Sequence, residues 1–122
     1  MLGRELARRS QLEQDNIVSV VQNPSNLNAG SYAGTGAVAM FFISPLPHEA
    51  KFGAYTELYA GLSPEITLEK NGSYVIPWGG IRPDKDCPRR DIITAMASTE
   101  DGGLGYPTRL WEWCEEQWKP FV

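Results

Sequence analysis

Apolar positions along the chain fall into two rhythms. Ile17, Val18, Val20 and Val21 form a short β-branched run that stops at Asn23-Pro24. Runs of this kind mark strands covered on both faces, as in a parallel α/β sheet. Pro24 has no N–H for a ladder and restricts the residue before it, so the chain leaves the sheet there. A second short strand is predicted from Ser73 to Trp78, opened by the Asn71-Gly72 turn and closed by proline and glycine. Between the two, Phe52, Tyr55, Thr56, Tyr59 and Leu62 recur at helical spacing. They predict a helix over Glu49 to Leu62, ended by Pro64.

The remaining segments fill in around these. Residues 1 to about 12 read as a helix with Leu2 and Leu6 on an apolar edge and Arg4, Glu5, Arg8 and Arg9 on a charged one. No Ser, Thr, Asp or Asn precedes it, so it looks cut rather than started. Asn23 to Gly36 is a loop dense in turn formers. Ala37 to Ile43 is apolar on every side and closed by Pro45 and Pro47, a short helix or a covering flap that would be costly to expose. Gly79 to Pro88 reads as a polar loop, Asp91 to Ala97 as a short helix capped at Asp91, and Glu100 to Pro107 as a glycine-rich turn. Leu110 to Lys119 reads as a terminal helix with Trp111, Cys114 and Trp118 on one face as docking anchors. This order is the tail end of a parallel α/β sheet. Two parallel strands are not stable alone, so the sheet is expected to be incomplete on its own.

Composition narrows the partners. The 122 residues suit one domain, and 42% hydrophobic with 21% charged residues argues against disorder of the whole chain. A formal charge of −4 argues against a nucleic-acid partner, which needs a basic surface. Arg8, Arg9 and the stretch from Arg82 to Arg90 are read as solvated surface. Cys87 and Cys114 are too far apart for a CxxC pair, so neither a zinc site nor a disulfide framework is expected and the cytosol is the default. The longest apolar run is too short to span a bilayer, and no membrane partner is expected. Asn71-Gly72-Ser73 spells a glycosylation acceptor but reads as a turn.

In open α/β sheets ligands collect beyond the carboxyl ends of strands, which points to the turn from Pro24 to Ala29. His48, the only histidine, has no Ser or Cys partner at a recognised spacing and reads as a surface or helix-capping residue. Asp84, Asp86 and Asp91 fit no EF-hand spacing, so no metal site is expected.

Five stretches, ELARR, IVSVVQNPSNLNAG, KFGAYTELYAGLSPEI, NGSYVIPWG and DGGLGYPTRLWEWCEEQ, together resemble the C-terminal half of a short-chain dehydrogenase/reductase. The likeness is to the retinol-dehydrogenase-like branch common in filamentous fungi. The resemblance implies the C-terminal part of a Rossmann-like, doubly wound parallel sheet: its last two strands with flanking helices, as one partial domain over residues 1–122. It implies NAD(P) as cofactor, with Pro24, Ser25, Leu27 and Ala29 on the cofactor side and Tyr32 in the mobile substrate loop. Pro24 matches the family's proline, Ser25 stands where the family has glycine, and Ala29 where it has a threonine. The last two departures weaken nicotinamide binding, since a side chain intrudes at one position and a hydroxyl is lost at the other.

The family's catalytic Tyr-x-x-x-Lys is missing. Four residues after Tyr32, Tyr55, Tyr59, Tyr74 and Tyr106 stand Gly36, Tyr59, Ser63, Trp78 and Leu110, never lysine. A tyrosine left near pKa 10 is a poor acid at neutral pH, so no catalytic residue is assigned. Gly30-x-x-x-Gly34-x-Gly36 spells the family's pyrophosphate fingerprint, yet Pro24 and the loop separate it from the strand ending at Gln22, and its register is wrong.

The resemblance implies an NAD(P)-dependent oxidoreductase acting on the carbonyl or alcohol of a small-molecule substrate, of the secondary-metabolite kind, truncated and doubtful as a cofactor binder alone. Two alternatives stay open. One is a noncatalytic module pairing through its sheet edge and the 37–43 flap with itself or with a complete reductase. The other is a small isomerase or cyclase using Tyr32, Tyr55 or His48 in the former substrate pocket.

Overall fold

The computed structural model describes residues 1–121, without the side chains of residues 12 and 13. Its first helix, α1 (Leu2–Glu13), packs by its small residues. A Cβ on Gly3 would come within 2.9 Å of Val21 Cγ2, so only glycine lets the helix lie this close. Ala7 and Ser10, on the same face, are buried at 3% and 4% exposure. Leu2 and Leu6, expected to be the inner edge, are exposed instead. Glu5 was placed on the charged outer edge and is buried. Close approach of backbones decides the inner face here, and bulky side chains would prevent it.

The chain then passes Ser19 into β1 (Val21–Gln22), which pairs in parallel with β4 (Tyr74–Val75), Val21 opposite Tyr74. The two predicted strands therefore pair as expected, but as two-residue ladders rather than over residues 17–22 and 73–78. Asn71 explains the shortening. Its Oδ1 accepts the Ser19 N–H at 2.7 Å, while its Nδ2 faces Ala7 O at 3.0 Å, Ser10 Oγ at 3.2 Å and Ile17 O at 3.2 Å. The backbone ladder still reaches Ser19, whose O accepts the Gly72 N–H at 2.7 Å, and ahead of that bond the Asn71 side chain takes the ladder's place and ties α1 to both strands. That amide, held between three acceptors, is no glycan acceptor in this fold. Nor is β1 covered on both faces: Ile17 and Val21 are 47% and 37% exposed.

Two further departures concern the sheet. β5 (Ile81–Arg82), expected to be polar loop, returns antiparallel on β4. Gly79 and Gly80, at φ of 118° and 119°, allow the reversal. A separate parallel pair joins β2 (Leu27–Asn28) to β3 (His48–Glu49), with α2 (Ala37–Ile43) between them. The fold is thus mixed α/β, with two small sheets of orders β1-β4-β5 and β2-β3.

α3 (Ala50–Leu62) follows its predicted span, buries Gly53 and Thr56, and ends at Ser63 in the extended conformation a following proline imposes. α4 (Arg90–Met96) is capped by Arg89 rather than Asp91, which sits in the first turn and accepts the Arg89 guanidinium at 2.6 Å. α5 (Tyr106–Trp118) starts four residues earlier than expected, because Pro107 suits a first turn and Gly105 takes the left-handed conformation before it.

α1 and α5 meet through Glu5. Its carboxylate accepts Arg8 at 2.6 Å, Arg9 at 2.9 Å and the Thr108 hydroxyl at 3.1 Å. The hydrogen bond from Arg8 holds Glu5 below the ordinary carboxylate range, against the opposing effect of burial, with Arg9 and Thr108 acting the same way as Arg8. Arg9 also lies 5.0 Å over the Trp111 ring. The two arginines read as solvated surface are therefore part of a packed contact. Trp111 and Cys114 are half-buried as docking residues, whereas Trp118 is exposed.

Fully enclosed apolar material is sparse: Ala7 and Val75 among the described residues. The accessible surface is 8598 Å², against about 6,600 Å² for a compact monomer of this mass. No described helix is long and apolar enough to cross a membrane.

Candidate functional site

The carboxyl ends of β1 and β4 lie side by side, and each strand leads into a strained turn. Beyond β1, the Asn23 N–H donates to Val75 O at 2.9 Å, and Pro24 then ends the pairing. Asn23 Oδ1 accepts the Ser25 N–H at 2.9 Å, closing an Asx turn with Ser25 at φ 73°. This left-handed conformation favours glycine, and glycine is what the resemblance expects there. A serine costs about 1–2 kcal/mol in this region. Beyond β4, Trp78 sits at φ 62°, its N–H donating to the Oγ1 of fully buried Thr56 at 3.2 Å. Two non-glycine residues are thus held left-handed at the same edge of the sheet. Strain of that kind gathers at sites where the backbone must face something.

Around them stands an aromatic group that the sequence did not reveal. The His48 ring lies 4.7 Å from Trp78 and 6.1 Å from Phe52, and Phe52 lies 5.3 Å from Trp78 and 5.7 Å from Tyr55. His48 is at the surface, as expected, but in β3 and edge-to-face with these rings rather than capping a helix. The hint was Trp78 itself, a large side chain wedged between Pro77 and Gly79.

The other expected site residues are distributed as follows. Leu27, in β2, points its side chain at α3: a Cβ on Gly53 would lie 2.3 Å from Leu27 Cδ1. Ala29 is exposed just beyond β2. Tyr32 is half-buried and donates its hydroxyl to Asn26 Oδ1, tying its own loop back to the Pro24 turn. The edge therefore joins Pro24, Ser25, Asn26 and Tyr32, and turns Leu27 inward. Chemically it offers backbone amides, carbonyls and ring faces. The Tyr32 hydroxyl is engaged by an amide oxygen, not by a lysine.

The glycines at 30, 34 and 36 stand closer to a strand than the sequence suggested, since β2 ends at Asn28 and α2 begins at Ala37. Their turn is internally closed, Ala33 N–H donating to Gly30 O at 2.9 Å and Thr35 N–H to Tyr32 O at 3.0 Å. The amides of Ala33 and Thr35 are thereby not free for a pyrophosphate. A cleft of about 400 Å³ opens at the far end of β4, lined by Arg4, Lys70, Ser73, Arg82 and Asp84 among others, away from the strained turns. Asp84 is ion-paired with Arg4, which holds its carboxyl below the usual range, and Arg89 lowers Asp91 to about 2. Among the described residues no group of three or more His, Cys, Asp or Glu side chains could hold a metal.

Comparison with known proteins finds fungal relatives that align along most of the chain. The chain is 42% identical to the short-chain dehydrogenase/reductase iacJ of Pestalotiopsis fici, over 89% of this chain and 31% of that protein. It is 34% identical to the short-chain dehydrogenase/reductase bet4 of Neocamarosporium betae over 98% of this chain and 33% of that protein. It is 40% identical to a short-chain dehydrogenase/reductase of Phomopsis amygdali over 97% of this chain and 35% of that protein. The chain is thus homologous to a stretch of fungal short-chain dehydrogenase/reductases, and spans about a third of the length of these relatives. No protein-family model and no solved structure matches it.

Proposed function

We propose that the chain supplies the C-terminal third of an NAD(P)-dependent oxidoreductase domain, the portion that walls the nicotinamide and a small carbonyl or alcohol substrate. The observation that carries this is the parallel β1–β4 pair, whose outgoing turn holds Ser25 in the glycine-type conformation just after Pro24. The homology to proteins named short-chain dehydrogenase/reductases supports it. On this reading Pro24, Ser25, Leu27 and Ala29 act through their backbone beside the cofactor, and Tyr32 lines the substrate side. Proton transfer and phosphate binding come from the other two thirds of such a domain, which would continue the sheet at the free edge of β1.

Titration with NADH and NADPH, read by energy transfer from tryptophan to the nicotinamide, tests the division of labour. The chain alone should show no saturable binding below about 1 mM. Coexpression with the first two thirds of a homologous reductase should restore micromolar binding and carbonyl reduction. Micromolar binding by the chain alone, or no restoration by a fragment that folds and associates, overturns the reading. The free β1 edge also favours a second reading, a noncatalytic module that associates with a complete reductase. Association that leaves cofactor binding and turnover unchanged would select it.

A further inference from the structure

The wall that the chain supplies to its candidate site contains no ions. Residues 16–48 include no Asp, Glu, Lys or Arg, although 21% of the whole chain is charged. That segment holds both the Pro24 turn and the Tyr32 loop. Its polar side chains there are neutral: amides at Asn23, Asn26 and Asn28, hydroxyls at Ser25 and Tyr32. A ligand carboxylate or phosphate seated against it would lose water and gain no counterion. The wall therefore selects against ionic ligands.

Rings close the end of the wall. His48 N–H donates to Asn26 O at 2.8 Å, which fixes the imidazole beside the Pro24 turn. A Cβ on Gly53 would lie 3.7 Å from the Pro24 Cβ, so the start of α3, with Phe52, reaches the same place. The His48 and Phe52 rings stand 4.7 Å and 5.3 Å from the Trp78 indole. Trp78 is in turn fixed through its backbone, left-handed at φ 62° with its N–H on fully buried Thr56. Its ring thus lies preset beside the turn rather than on a mobile arm. A preset indole next to a phenyl ring discriminates by shape and electronics, since a flat π-system gains ring–ring attraction that a saturated ring of similar size does not.

We propose that this edge takes an uncharged, planar aromatic ketone or aldehyde, or the corresponding alcohol, with its ring against Trp78 and Phe52. As a substrate class this rests on the reductase reading. Acetophenone is titrated into the full ¹⁵N-labelled chain, in weakly alkaline buffer that keeps imidazole neutral. Two further ketones serve as comparators: 4-acetylbenzoate, which adds a carboxylate, and cyclohexyl methyl ketone, which replaces the flat ring by a saturated one. Acetophenone should shift the Trp78 indole resonance and the amides of residues 24–32. Its affinity should exceed that of cyclohexyl methyl ketone about fivefold and that of 4-acetylbenzoate about tenfold. Trp78→Leu should abolish the preference for the flat ring, and Trp78→Phe should retain it. The inference is overturned by acetophenone that shifts nothing up to its solubility limit, by equal affinities for the three ketones, or by a preference that survives Trp78→Leu. No nicotinamide enters this titration, so failure of the reductase reading shows in the NADH and coexpression assays and failure of this inference shows here.

Discussion

Replacing Asn71 with alanine should unfasten α1 from both parallel strands. The substitution removes four contacts, to Ser19 N–H, Ala7 O, Ser10 Oγ and Ile17 O, made from a half-buried position. The two protons on Nδ2 are shared among three acceptors, so the net loss is nearer three hydrogen bonds than four. At about 1 kcal/mol each, with Ser19 N–H left without its partner, the cost is about 3 kcal/mol. For a chain of this size, with a urea slope of about 1.5 kcal/mol/M, that shifts the unfolding midpoint by about 2 M. Asn71→Asp should cost more than alanine despite being isosteric, because it brings a carboxylate against the carbonyls of Ala7 and Ile17. Urea titration followed at 222 nm measures both variants. Amide hydrogen exchange of Ser19 adds a local readout, in which protection should fall at least tenfold in Asn71→Ala. An alanine variant within 0.5 kcal/mol of the native chain, or an aspartate variant more stable than alanine, would refute the assignment of Asn71 as the fastening point.

Glu5→Gln should cost about 1–3 kcal/mol at pH 7, as the Arg8 and Arg9 charges lose their buried counterion. Because the folded pKa of Glu5 is depressed, its contribution is present above the unfolded value near 4.3 and lost as pH falls through the folded one. The variant should therefore flatten the acid limb of a stability-against-pH curve, and an unchanged limb would count against the network. Ser25→Gly should stabilise the chain slightly, by up to about 1 kcal/mol, and so raise the urea midpoint, since relief of the left-handed strain exceeds the added chain entropy; a lower midpoint would contradict the strain. Gly103→Ala should cost at least about 2 kcal/mol, because its Cβ would meet the backbone oxygen of Ala97 at 2.3 Å and that backbone cannot swing aside. Thermal melts should rank it below the native chain.

Elements with a period or a proline boundary were legible. The α3 pattern from Phe52 to Leu62 and its stop before Pro64 are local facts, and the β-branched run before Pro24 announced a strand. The inner face of α1 was not, because hydropathy points to Leu2 and Leu6 whereas close approach selects Gly3, Ala7 and Ser10. Two-residue strands such as β2, β3 and β5 are too short to carry a period. Asn71 announced its turn by residue type, but its partners lie 52 to 64 residues away, beyond any local signal. At the candidate edge, resemblance singled out Ser25 as a glycine position and the backbone there is left-handed. The stacking of His48 on Trp78 depends on β2 pairing with β3, which no spacing encodes.

How the chain is held together bears on where it would yield. Glu5 and Asn71, both polar, join α1 to α5 and to the strands, and among the described residues Val75 is the one large apolar side chain fully enclosed, with Thr56 the other side chain buried to that degree. Hydrogen bonds of this kind are directional, so they specify one arrangement even where enclosed apolar area is small. The segment from Pro24 to Glu49 is anchored more thinly, by the β2–β3 pair, the Leu27 contact on Gly53 and the Tyr32 hydroxyl. It also carries the strained Ser25, the uncharged loop and the unpacked α2. Local opening follows the balance of such contacts, so this segment opens at lower free energy than the α1–Asn71–β4 unit. Ligand-binding loops and lids are drawn from segments that open at low free energy in this way.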